Sequence, residues 1–136
     1  MFTTAPRAAG AALLSLSLLS AGATAASASG GGDRAEVRAA GHCTSSTVWK
    51  LKAKTDDGAI DTEYEVDSHR NGQVWTVAIN DNGVRVFTGR RTTHAPSGSF
   101  SLERRLANRA GGDRIVAVAR NLSTGERCVG SLTFTG

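Results

Sequence analysis

The residues of this chain that could do chemistry are three histidines, two cysteines, a set of arginines and a few clustered aspartates. Neutral imidazoles such as those of His42, His69 and His94 suit zinc or copper. Their spacing is wide, and no H-x-H, H-E-x-x-H or C-x-x-C pattern accompanies them, so no metal site and no cofactor are expected. Asp56, Asp57 and Asp81 would suit calcium, but the EF-hand spacing is missing and turn chemistry accounts for them. Catalysis has little support. There is no G-x-S-x-G elbow and no glycine-rich phosphate loop. Arg70, Arg90 and Arg91 are more promising, because guanidinium groups bind phosphate and carboxylate through paired donors. Together with His42, His69 and His94 they make a candidate anion-binding set, with an anionic polymer as its ligand.

The cysteines, Cys43 and Cys128, bracket almost everything that reads as folded. Ahead of them, Met1–Arg7 is a short basic region and Ala8–Ser20 an apolar stretch. Ala23-Thr24-Ala25 then fits a signal-peptidase site. The apolar run is too short to span a bilayer. We therefore expect a signal peptide at 1–25, secretion, and no membrane insertion after cleavage. Residues 26–41, rich in Ala, Gly and Ser, read as a flexible leader. Residues 42–136, about 95, are one domain's worth. Export favours an oxidised Cys43–Cys128 pair. The formal charge of +4 is mild, and the chain has few aromatics on which bases could stack, so nucleic acid is not an expected partner.

These residues must be positioned by strands. Seven segments alternate apolar and polar residues or are β-branched: Thr47–Thr55, Ala59–Asp67, Gln73–Asn80, Val84–Arg91, Ser99–Leu106, Arg114–Arg120 and Arg127–Phe134. Turn-forming clusters separate them. The first hairpin has one good register. With Thr55 opposite Ile60, Lys54, Lys52 and Lys50 face Asp61, Glu63 and Glu65, while Ala53, Leu51 and Trp49 meet Thr62, Tyr64 and Val66. The lysine and acid stripes then form one solvated ladder rather than a ligand site. Asn82-Gly83 predicts a tight hairpin that places Trp75, Val77 and Ile79 with Val84, Val86 and Thr88 on the core face. In the last hairpin Ile115, Ala117 and Ala119 face Leu132, Gly130 and Cys128.

Seven short strands, Trp75 on the third and one disulfide resemble a seven-stranded antiparallel sandwich of the immunoglobulin or fibronectin-III kind. The pairing departs from antibody domains, because Cys43 precedes the first predicted strand and Cys128 opens the last. The Ala/Gly/Arg-rich composition and the segment Gly125-Glu126-Arg127-Cys128-Val129-Gly130 also resemble small secreted proteins of actinobacteria. That resemblance implies export and carries no activity. A fold does not imply a function in any case.

If every connection reverses the chain, both cysteines lie at one end of the sandwich, with all three histidines. The same alternation leaves Val74, Thr76, Ala78, Phe87, Val116, Val118 and Val129 facing outward on one sheet. Monomers rarely expose a large apolar patch, and such patches mark interaction sites. The expected function is a secreted, non-enzymatic binding module that uses this face on a protein partner or in a weak homodimer. The Arg/His end as an anion or cell-wall-polymer binder is the alternative. A small hydrolase, or a protease inhibitor acting through Thr92–Gly98, is a third.

Overall fold

A computed structural model of the chain describes residues 35–136. The expected signal peptide and residues 26–34 of the expected leader lie outside the described residues. Eight strands follow in order: β1 Glu36–His42, β2 Val48–Asp56, β3 Ala59–Asp67, β4 Val74–Asp81, β5 Val84–Thr92, β6 Ser99–Ala107, β7 Asp113–Asn121 and β8 Arg127–Phe134. They form two antiparallel four-stranded sheets, β1-β2-β3-β6 and β5-β4-β7-β8. The inner faces enclose one core that includes Trp49, Leu51, Tyr64, Trp75, Phe100 and Phe134. Among the described residues no helix is long and apolar enough to cross a membrane.

The strand count is eight rather than the expected seven, because the end of the leader is itself a strand. β1 pairs along its whole length with β2. Its composition hid this. An edge strand needs only one apolar side and can take its backbone hydrogen bonds from a neighbour. Val37 and Ala39 pack on the core, and Gly41 lies over the Trp49 ring. The other seven strands fall within a residue or two of their expected bounds.

The β2–β3 register is the expected one, from Val48↔Asp67 to Thr55↔Ile60. The turn tightens to Asp57-Gly58, both at positive φ, and the pairing extends to Asp56↔Ala59. The Lys52 ammonium lies 2.6 Å from Glu63 and Lys50 3.8 Å from Glu65. Asp61 instead turns to Arg105 on β6, at 3.5 Å. The β7–β8 pairing also follows the expected register.

β5 departs from expectation. Asn82 and Gly83 form the tight turn with positive φ at both positions. Two pairs later a β-bulge intervenes: Asn80 pairs with Arg85, but Ile79 pairs with Phe87, leaving Val86 as the extra residue. One inserted residue reverses every side chain beyond it. Phe87 therefore sits on the inner side, half-buried against the core, and Thr88 and Arg90 point outward. The expected placement of Phe87 on the outer face and of Thr88 on the core face is corrected by this bulge. Burying a phenyl ring rather than a threonine removes more apolar surface from water.

The two open seams of the sandwich are closed differently. At the β5/β6 seam the guanidinium carbons of Arg91 and Arg104 lie 5.3 and 5.4 Å from the Phe87 ring centre. Their stems cover the core while their charged ends reach water. At the β1/β8 seam the Trp49 ring lies against both Gly41 and Gly130, where a Cβ would come within 2.8 and 2.7 Å of it. Cys43 and Cys128 are bonded across this same seam. The backbone N–H of Thr44 donates to the Arg127 carbonyl at 2.9 Å. The disulfide thus ties the turn after β1 to the start of β8, at the end of the sandwich that strand alternation predicts.

Candidate functional site

The six residues of the expected anion-binding end lie on several elements, with the loops of His69, Arg70 and His94 hydrogen-bonded to one another. His42 ends β1, next to the disulfide. His69 adopts positive φ in the β3–β4 loop, and its Nδ1 lies 3.3 Å from Asp67. His94 forms an isolated bridge with Ser99. No hydrogen bond joins any two histidines, and among the described residues no three His, Cys, Asp or Glu converge as metal ligands. Arg91 is committed to the Phe87 ring, whereas Arg90 lies on an outer sheet face. Arg70 lines a polar cavity of about 270 Å³ with Thr44–Thr47, Ser68, Gln73 and Glu126. Glu126 is engaged there, accepting from the backbone N–H groups of Ser45 at 2.9 Å and Thr47 at 3.1 Å. A carboxylate in that position disfavours an anion.

The opposite end of the sandwich separates its acids. Asp56 pairs with Arg105 at 2.6 Å on the surface. Asp81 and Asp113 are buried, and one carboxylate oxygen of each has no hydrogen-bond partner. Burial, then the nearby Asp113 charge, holds the Asp81 carboxyl above the ordinary carboxylate range. Asp113 accepts from the Arg109 backbone N–H at 3.0 Å. Tyr64 is likewise buried; its hydroxyl donates to the Cys128 carbonyl at 3.2 Å, and burial pushes its pKa upward. These groups are buried and face no open space.

The outer face of the β5-β4-β7-β8 sheet is different. Val74, Thr76, Ala78, Val116 and Val118 lie there half-buried and Val129 exposed, as expected, without Phe87. The rows across the sheet follow from the registers. Toward the disulfide end, next to the Val74–Thr92 pair, Arg90, Thr76, Arg120 and Arg127 stand side by side. Next come Thr88, Ala78, Val118 and Val129, then Arg85, Asn80, Val116 and Ser131. Arg114 and Thr133 end the series. Arg85, Arg90, Arg114, Arg120 and Arg127 therefore share a face on which no strand position is a carboxylate. Arg85 donates to the Asn80 side chain at 2.7 Å. Among the described residues none of the five has an acidic partner; the ion pairs belong to Arg38, Lys50, Lys52, His69 and Arg105.

A shallow groove of about 510 Å³ crosses this face. Thr76 and Ala78 of β4 are its small-residue floor. Arg85 and Thr88 rise on the β5 side, and Val118, Arg120 and Arg127 on the other. The outer face of the other sheet has a cavity too, about 270 Å³, but it mixes Lys52, Lys54 and Arg104 with Asp61, Glu63 and Glu103. One face neutralises itself and the other does not. The outward positions of Arg114 and Arg120 were implicit in the alternation that sent Val116 and Val118 outward. Those of Arg85 and Arg90 depend on the bulge.

The described residues thus define an all-β domain of two packed sheets, closed by a disulfide, with one uncompensated basic face. In comparisons with known proteins the chain matches no family model, no curated protein and no solved structure.

Proposed function

We propose that this protein is a secreted, non-catalytic binding module whose recognition surface is the outer face of the β5-β4-β7-β8 sheet. One observation carries the reading: five arginines frame an apolar strip with no carboxylate among them, while the opposite face pairs its charges internally. Uncompensated like charges at fixed positions destabilise a sheet, as where Arg120 faces Arg127. An acidic partner would relieve that repulsion and cover the valines. The same charge argues against a homodimer through this face, since a two-fold contact would set arginines against arginines. Secretion is supported by the disulfide and by the signal-like first 25 residues. An immunoglobulin- or fibronectin-III-like class is supported by the two-sheet arrangement, with β4 and β7 paired at the centre of the second sheet.

The test compares two charge reversals of equal size. Arg120→Glu with Arg127→Glu should abolish retention of the protein on acidic cell-envelope and supernatant fractions. Lys50→Glu with Lys54→Glu, on the other sheet, should leave most of it. Equal loss from both pairs would show that net charge alone, not this face, governs binding.

A further inference from the structure

The arrangement of the arginines says what kind of acidic partner the face suits. We infer that the groove binds a linear polymer of phosphate groups, such as a polyol phosphate chain. This rests on the reading of the face as the recognition surface.

The arginines do not converge on a point. Arg90, Arg120 and Arg127 lie in one row on β5, β7 and β8, with β4 between the first two. Three interstrand spacings of about 4.8 Å separate the ends of that row, so it spans roughly 14 Å. Arg85 continues the charge along the β5 rim. A single phosphate can engage only part of such a row, whereas a chain with an anion at each repeat can engage all of it. Thr76 and Ala78 make a low floor on β4, so a narrow chain lying across the strands meets guanidinium groups on both sides of it.

Two features favour phosphate over other repeating anions. Arg120 and Arg127 are direct cross-strand partners, so two guanidinium forks rise from neighbouring positions on one face, within reach of one phosphate. A tetrahedral phosphodiester presents its two free oxygens in different directions and can accept from both forks. A planar carboxylate matches one fork in its own plane. The face also bears no aromatic side chain at any strand position, so it has no platform on which nucleobases could stack. The polymer that fits is a phosphate chain without bases.

The experiment titrates the exported, oxidised chain with an oligo(glycerol phosphate). Calorimetry gives the affinity at several salt concentrations, and amide shifts give the location. Expected are shifts at Thr76, Ala78 and Val118 and an affinity at least tenfold above that for glycerol 3-phosphate. Arg120→Ala with Arg127→Ala should weaken binding at least tenfold and reduce the slope of log K against log salt by about 0.7 per arginine. Arg85→Ala with Arg90→Ala, on the other rim, should do the same, and Lys50→Ala with Lys54→Ala should not. Glycerol 3-phosphate binding as tightly as the oligomer would overturn the polymer. Polygalacturonate of equal charge, or oligo(dT), binding as tightly would overturn the preference for base-free phosphate. If no polyanion binds, yet envelope proteins shift the same amides, the ligand class fails and the recognition face stands. If the oligomer shifts only amides of the other sheet, both fail.

Discussion

Asp81 of β4 and Asp113 of β7 show how much a single position can cost this fold. Asp81 pairs with Ile115, which sets the two carboxyls diagonally across one ladder, both out of contact with water. Folding raises the Asp81 pKa, chiefly through burial. A carboxyl with a raised folded-state pKa contributes stability below its unfolded pKa, and that contribution is lost as pH rises through the folded value. Asp81→Asn should therefore raise the melting temperature at neutral pH and flatten its fall as pH rises above the ordinary carboxylate range. Thermal melts across that rise check it, and an unchanged pH profile would show that Asp81 is not the titrating group. At this scale the sequence was only partly legible. The inward parity of Asp113 follows from Ile115, but the one unpartnered oxygen on each acid depends on what covers them. The outward arginines of β7 were legible from alternation alone, because Arg114, Val116, Val118 and Arg120 share one parity.

At the scale of elements, the least legible features were β1 and the bulge in β5. Val-Arg-Val-Phe-Thr alternates well enough in either phase, and nothing local shows that a bulge sets both Val86 and Phe87 against the core. The choice is made by the core, which gains more from a phenyl ring under two guanidinium groups. β1 likewise exists because Trp49 needs a cover. Its ring fills the β1/β8 seam only because Gly41 and Gly130 lack side chains. A methyl at residue 130 would lie 2.7 Å from Trp49 Cε3 and force the ring or the strand to move. Gly130→Ala should destabilise the domain by about 1–3 kcal/mol. Urea unfolding followed by tryptophan fluorescence measures it, with the exposed neighbour Ser131→Ala as the control. Equal stability of the two variants would mean that the seam is loosely packed. The hairpin registers, by contrast, were readable in advance: β2–β3 has one phase that sets its lysines against acids, and β7–β8 one that sets Ile115 against Leu132.

For the whole molecule, the disulfide and the distribution of charge matter most. Cys43 and Cys128 are 85 residues apart, so the bridge closes nearly the whole domain and removes much of the unfolded chain's freedom. Replacing both with alanine should lower stability by about 2–5 kcal/mol, read as a lower urea midpoint. A midpoint shift worth less than about 1 kcal/mol would mean that β1 and β8 are held mainly by Trp49 and the backbone bonds around Thr44. The sequence by itself determined the two-cysteine closure, the all-β class, seven of the eight strands and the registers of two hairpins. Those properties follow from residue type and local alternation, which a strand expresses wherever it lies. Only the tertiary structure decided that an Ala/Gly-rich segment is the eighth strand, that Phe87 turns inward, and that five arginines from three strands share one face without an acid. Each of these depends on which strands become neighbours, and that is set by how two sheets together exclude water from one core.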